Sequence, residues 1–163
     1  MASVLQPRQI HLDRGSADDL DQVMDVMQAA FGDRYGEAWT RSQCTGILPM
    51  SGIALTLARE ADGGPVVGFS LDRIVADESE LLLLAVSPDR QRRGIGSRLL
   101  ADYVERSGAA GVERMHLEVR SGNPAIAIYE ASGFAPVGRR KAYYRGRDGS
   151  RHDALTYACL IER

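Results

Sequence analysis

Hydrophobic positions along the chain change spacing several times, and each change marks an element. In "RQIHLDRG" (8–15) apolar and polar residues alternate, as in a short edge strand. Within "SADDLDQVMDVMQAAF", Leu20, Val23, Met24, Met27 and Phe31 recur at helical intervals. This predicts a helix with Ser16 as N-cap and acidic residues in its first turn. "EAWTRSQCTGIL" carries a weaker helical pattern that ends near Pro49, with Trp39 anchoring it in the core. "GIALTLARE" and "PVVGFSLDRIVAD" read as two strands joined at "ADGG". "SELLLLAVS" is apolar on both faces and therefore belongs in the middle of a sheet.

The second half continues in the same mixed way. "GSRLLADYVERSGAAG" predicts a helix closed by the glycines around Ala109. "RMHLEVR" is a strand with Met115, Leu117 and Val119 on one face and His116, Glu118 and Arg120 on the other. "PAIAIYEASG" is a short helix with Pro124 in its first turn and Gly133 closing it. "APVGRRKAYY" and "DALTYACLI" are closing strands around a "GRDGSR" turn. Strands outnumber helices, and the middle alternates βαβα. The expected fold is α/β (α+β): one domain over residues 1–163, with a mixed central sheet of about six to seven strands flanked by about four helices.

Composition narrows the function classes. A chain of 163 residues, 44% of them hydrophobic, is long enough to bury roughly two-thirds of its unfolded surface. A net charge of −2 gives no basic field for nucleic acid. The apolar runs fall far short of the ~18–20 residues that span a bilayer. "MASVLQPRQIHLDRG" has no uncharged apolar core of signal-peptide length. Cys44 and Cys159 stand alone, outside any CxxC or Cys/His spacing, so no metal site and a reducing cytoplasm are expected.

The candidate chemistry lies in "LLLLAVSPDRQRRGIGSRLL" (81–100), where a strand runs through a basic turn into a helix. The first N–H groups of a helix have no intrahelical partners, and the helix dipole adds partial positive charge. Gly94 and Gly96 remove Cβ atoms so that a phosphate can approach the backbone, and Arg92 and Arg93 attract it. A P-loop would need a Lys-Ser/Thr pair and a dinucleotide fingerprint a third glycine; neither is present. The junction fits a pyrophosphate, although a basic loop that binds nothing has the same composition.

Two blocks carry a family resemblance. "QRRGIG" (91–96), preceded by "LAVSPDR", matches the Q/RxxGxG/A signature of GCN5-related N-acetyltransferases (GNAT), and "GNPAIAIYEASGF" (122–134) resembles a later block of that family. The likeness runs from about Gln9 to the C-terminus. More narrowly, "LEVRSGN", "GRRKAYYR" and "DGSRHDA" resemble bacterial ribosomal-protein-alanine N-acetyltransferases, and the double Tyr is shared with eukaryotic N-terminal acetyltransferases.

The resemblance implies acetyl-CoA as co-substrate, bound by a core at about residues 81–134, with a C-terminal hairpin at about 135–161. It implies that the backbone of Leu84, Ala85 and Val86 pairs with the pantetheine arm, and that Arg92, Arg93, Gly94, Ile95, Gly96 and Ser97 hold the pyrophosphate. It also implies that Asn123 contacts the CoA arm, that Glu118 accepts a proton and Tyr129 donates one, and that Tyr143 and Tyr144 line the acceptor groove. The implied acceptor is the N-terminal α-amino group of a protein, in the narrower family the N-terminal alanine of a ribosomal protein. A lysine side chain or small amine is the alternative acceptor. A silent acyl-CoA sensor is a further alternative, but it would need neither Glu118 nor Tyr129. One departure stands out: the family has seven positions from this Asn to its Tyr, whereas Asn123 to Tyr129 is six.

The chemistry is consistent with these roles. An α-amino group has a pKa of ~8 and a lysine ~10.4, so at neutral pH roughly a tenth of an N-terminus is already neutral, against well under a thousandth of a lysine. A carboxylate acting through water is a sufficient base for the former and a poor one for the latter. Read alone, Glu118 is equally a solvated strand residue, Tyr129 a packing residue and the Tyr143–Tyr144 pair sheet packing. "RRK" at 139–141 reads as a solvated basic run, His116 as a surface strand residue, and His11 and His152 have no constellation around them.

Overall fold

The computed structural model describes residues 9–162, and in it every strand expected from the sequence joins one sheet. Arg8, the first residue of the first expected strand, lies outside the described residues. The strands are β1 (His11–Arg14), β2 (Ile53–Arg59), β3 (Val66–Val75), β4 (Glu78–Val86), β5 (Arg114–Arg120), β6 (Ala135–Arg145) and β7 (Arg151–Leu160). They lie side by side in the order β1-β2-β3-β4-β5-β7-β6. Neighbours are antiparallel except β4 and β5, which are parallel. β4 holds the central place that its two-sided hydrophobicity predicts.

Four α-helices flank the sheet: α1 (Leu20–Phe31), α2 (Arg41–Ile47), α3 (Ile95–Ala109) and α4 (Ile126–Ala131). Ser16 caps the start of the first helical segment, exchanging hydrogen bonds with the turn that includes Asp19; that first turn, Ala17–Asp19, is 3₁₀ and runs into α1. The second helix begins later than its hydrophobic spacing suggests. Thr40 and Gln43 form a reciprocal capping box, Gln43 N–H donating to Thr40 Oγ1 at 3.1 Å and Thr40 N–H to Gln43 Oε1 at 2.8 Å. The helix is sealed there, which leaves Glu37, Ala38 and Trp39 in the connecting loop, with Trp39 still packed against the core.

The core is divided by the sheet. Leu20, Val23, Val26 and Met27 of α1 pack on Leu55, Leu57, Phe69, Leu71 and Leu83. Another cluster gathers Leu100 and Tyr103 of α3 with Leu81, Met115, Leu117, Tyr129, Phe134 and Tyr157. Truncating a fully buried residue such as Leu99 or Leu100 to Ala costs about 2–5 kcal/mol.

The feature that positions the site is a fault in β4. Opposite β3, Leu71 pairs with Leu83 but Asp72 pairs with Leu81, so Leu82 is one residue too many. A strand's period of two would put Leu81 and Leu83 on one face; the bulge separates them, Leu81 joining the α3 cluster and Leu83 the α1 cluster. The pairing of β4 with β5 runs from Glu78–Arg114 to Leu81–Leu117 and stops. Beyond it the two parallel strands part, and a cleft opens between them.

Candidate active site

The cleft has a volume of about 1330 Å³ and is lined by both parted strands, the start of α3, α4, the α1–α2 loop and the end of β6. On one wall, Leu84, Ala85 and Val86 are paired to β3 through Ser70, Phe69 and Gly68 but have no strand on their other side. An extended chain can add itself along that free edge as a strand would.

The turn after β4 prepares the next part of the cleft. Gln91 Nε2 donates to Val86 O at 3.1 Å, and Arg90 is ion-paired to Glu60, so the turn is tied back to the sheet. Arg92 and Gly94 take left-handed backbone conformations, φ +63° and +78°, to swing the chain into α3. No side chain caps α3, in contrast to α2. Its first intrahelical bond is from Arg98 N–H to Gly94 O at 3.0 Å, which leaves the N–H groups of Ile95, Gly96 and Ser97 for a ligand. An anion is what such a terminus accepts.

The two glycines do different work. A Cβ on Gly94 would meet nothing within 4 Å, so glycine is needed there for its positive φ and its openness toward the cleft. A Cβ on Gly96 would lie 3.2 Å from Ile128 Cδ1, so this glycine lets α3 approach α4. The side chain of Ile95 is buried in the core, and only its backbone can face a ligand. Arg92 and Ser97 line the cleft; Arg93 is exposed and is not part of its lining.

Where β5 leaves β4, Glu118 reaches the cleft, its side chain about one-fifth exposed. Its Oε1 is ion-paired with Arg140, 3.0 Å from Nε, and Oε2 has no partner among the described residues. Tyr129 of α4 is buried, edge-on to Phe134, yet it also lines the cleft and its hydroxyl has no protein hydrogen bond among the described residues. Burial first, then the Glu37 carboxylate and Tyr144, push the Tyr129 phenol well above the usual tyrosine range. It stays protonated with an unoccupied O–H.

Tyr144 links the two. Its phenol is pushed up to about 12, by burial first and then by Glu118 and Glu37. It reaches the cleft because β6 contains an irregularity: Arg140 pairs with Ala154 and Tyr144 with His152, so Lys141–Tyr143 are accommodated against Asp153 alone. Ala142 takes φ +55° there, and its N–H donates to Asp153 Oδ1 at 2.8 Å. Tyr143 packs edge-on against Tyr144 and is half exposed at the rim. Arg139 and Arg140, the exposed basic run, are ion-paired to Asp153 and Glu118.

Asn123 lines the cleft, but its amide is engaged at both ends. Oδ1 accepts from Ala125 N–H at 2.8 Å at the start of α4, and Nδ2 donates to Glu37 Oε2 at 2.8 Å. Glu37 Oε1 in turn accepts from Arg120 Nε at 3.0 Å. Neither Glu37 nor Tyr35 is singled out by the sequence; a lone acidic residue in a weak helical pattern carries no local signal. His152 does have neighbours, meeting Tyr35 edge-to-face at 5.0 Å between ring centres and bonding Ser150 Oγ at 3.0 Å. Among the described residues no group of three or more His, Cys, Asp or Glu could hold a metal ion, and no helix is long and apolar enough to cross a membrane.

Comparison with known proteins bears on this arrangement. Residues 29–149 match the family described as acetyltransferase (GNAT) domain. The chain is 41% identical over 99 residues to the [ribosomal protein bS18]-alanine N-acetyltransferase of Escherichia coli K12, a stretch covering 60% of this chain and 66% of that protein's own length. The crystal structure of the E. coli ribosomal-protein-S18-alanine N-acetyltransferase superposes with a TM-score of 0.84 at 29% identity, covering 95% of this chain and 96% of that one. Arabidopsis thaliana NAA60, solved with acetyl-CoA, shares the fold with a TM-score of 0.77 at 20% identity, over 94% and 99% of the two chains.

Proposed function

Because the chain belongs to the GNAT acetyltransferase family, we propose that it moves an acetyl group from acetyl-CoA to the N-terminal α-amino group of a protein in the cytoplasm, with a ribosomal-protein N-terminal alanine as the acceptor class. The observation that carries this reading is the parting of β4 from β5. It leaves an unpaired strand edge, an uncapped helix start and the pair Glu118 and Tyr129 in one cleft.

In this reading residues 81–134 form the acetyl-CoA-binding core. Leu84, Ala85 and Val86 offer backbone groups to the amides of the pantetheine arm. The N–H groups of Ile95, Gly96 and Ser97 hold the pyrophosphate, with Gly94 leaving room and Arg92 adding charge; Arg93 contributes only at longer range. The hairpin at 135–161 closes the acceptor side, with Tyr143 and Tyr144 along the entering peptide.

Acetyl transfer forms a C–N bond and breaks a C–S bond, so one proton must leave the amine and one must reach the departing thiolate. Glu118, directly or through a water, takes the amine proton. Tyr129 gives its hydroxyl proton to the sulfur, a role suited to a buried phenol that remains neutral. No metal is required for either transfer.

The experiment is acetylation of synthetic peptides read by mass spectrometry, one set beginning with Ala, another blocked at the N-terminus and carrying lysine. Modification confined to the free N-terminus supports the reading. Modification of lysine or of small amines alone overturns the acceptor class and leaves the acetyl donor standing.

A further inference from the structure

Glu37 is placed where two oxygens of one carboxylate join segments far apart in the chain. Oε1 accepts from Arg120 at the end of β5, and Oε2 accepts from Asn123 at the start of α4, contacts 83 and 86 residues apart in sequence. The Arg120–Glu37 pair is nearly enclosed, with side chains 9% and 11% exposed. The arginine is fixed further: its guanidinium lies 3.7 Å from the centre of the Tyr35 ring, and Nη1 donates to Ser121 O at 3.1 Å. Tyr35 in turn meets His152 of β7 edge-to-face.

The loop that carries Glu37 is tied to the hairpin as well. Arg147 N–H donates to Asp33 O at 3.1 Å. A Cβ on Gly36 would fall 2.3 Å from Arg145 O, so loop and hairpin backbones are in close contact. The α1–α2 loop is therefore tied to the hairpin where it lines the cleft, with Glu37 close enough for its charge to act on Tyr129 and Tyr144.

We infer that Glu37 is a positioning residue for the acceptor: with Arg120 and Asn123 it latches the α1–α2 loop to the β5–α4 turn and so fixes the acceptor half of the cleft. The inference rests on the acetyl-transfer reading of the cleft. Each end of the Asn123 amide makes one bond inside the protein, and the two together fix its orientation between the α1–α2 loop and the start of α4. The spacing of six from Asn123 to Tyr129, one shorter than in the resembling family, accompanies this engagement. The latch also sets the charge around the proton donor, because the Glu37 carboxylate acts on both Tyr129 and Tyr144.

The test uses the full chain and the variants Glu37→Gln and Asn123→Ala, with acetyl-CoA and whichever acceptor the wild type modifies. In Glu37→Gln the acceptor KM rises by about tenfold or more, while the acetyl-CoA Kd by calorimetry stays within about twofold of wild type. Asn123→Ala raises the acceptor KM likewise, and in that constant the double variant is no worse than Glu37→Gln alone, because the two residues act as one unit. Loss of the Glu37 charge also brings an alkaline decline of kcat to lower pH, as the Tyr129 phenol ionises more readily. A general loss of fold would raise both constants together and leave the pH profile in place.

An acceptor KM unchanged in Glu37→Gln, or an acetyl-CoA Kd that rises in Glu37→Gln as much as the acceptor KM, overturns the latch. If the wild type acetylates no acceptor, the transfer reading itself fails. The latch is then read by hydrogen exchange alone: Glu37→Gln must speed exchange at residues 32–40 and 121–125 with acetyl-CoA affinity kept, and unchanged exchange sinks it.

Discussion

Arg140 Nε of β6 lies 3.0 Å from Glu118 Oε1 of β5, an ion pair that spans the intervening strand β7. The arginine is more than half exposed, so the pair is worth little to stability and can open to solvent. One carboxylate oxygen is thereby held while the other has no partner among the described residues, and the side chain lines the cleft.

Replacing Glu118 with Gln keeps the shape and removes the proposed proton acceptor. The variant then depends on amine already neutral in solution, so its kcat/KM climbs with pH up to about the amine's own pKa of ~8, and the gap to wild type narrows at alkaline pH. A lysine-like acceptor would push that climb beyond ~10. A pH series of initial rates decides it; a uniform slowing at every pH would mean that Glu118 only orients the acceptor.

Tyr129→Phe removes one oxygen from a buried ring whose packing against Phe134 is retained. If the hydroxyl protonates the thiolate, kcat falls by roughly 10²-fold while acetyl-CoA affinity barely moves. Burial, Glu37 and Tyr144 all raise the wild-type phenol, so its proton is kept and the wild-type kcat holds its plateau past the ordinary tyrosine pKa of ~10. Steady-state rates across pH 7–10.5 check both outcomes, and a near-normal kcat in Tyr129→Phe returns the residue to a packing role.

Gly94→Ala introduces a methyl that touches no protein atom but sits at φ +78°. The backbone penalty is about 1–2 kcal/mol, and the methyl is added at the proposed pyrophosphate site, so acetyl-CoA affinity falls by about tenfold in a folded protein. Gly94→Asp, with charge against the pyrophosphate, abolishes binding. Gly96→Ala acts elsewhere, against Ile128, and lowers Tm first. Calorimetry beside thermal melts separates the two; undiminished affinity in folded Gly94→Asp refutes the pyrophosphate assignment.

Arg106 of α3 grips the fully buried Asp72 of β3 with Nη1–Oδ1 at 3.1 Å and Nη2–Oδ2 at 2.5 Å, and also holds Asp102 at 2.8 Å. Arg106→Met leaves a carboxylate buried without its counter-charge and costs about 3–5 kcal/mol in denaturant melts. Burial works to raise the Asp102 carboxyl, but Arg14 and Arg106 outweigh it and hold it below the usual range. As pH falls the unfolded chain therefore takes up this proton first: the stabilisation is full above the unfolded value of ~3.9 and is lost as pH drops through the lower folded one. Asp102→Asn flattens that acid limb, and an unaltered limb would contradict the pairing.

Much of this arrangement is written in local pattern. The period of "LDQVMDVMQAAF", the two-sided run "LLLLAV" and the alternation in "RMHLEVR" each describe how a short segment must bury itself, and a segment's own side chains settle that. The uncapped, glycine-bearing start of α3 is equally local, since helix capping is decided within a few residues. Thr40 and Gln43 were a local signal too, and reading them as a capping box would have placed Glu37 in a loop.

What tertiary structure alone decided lies between distant segments. The extra residue at Leu82 exists only relative to β3, and the point where β4 and β5 part exists only relative to both. The engagement of Asn123 by Glu37 joins residues 86 positions apart, brought together where the α1–α2 loop lines the cleft. A side chain's local sequence says which bonds it can form; only the strand order and the paths of the loops determine which partner arrives within 3 Å, and so which segments an amide ties together.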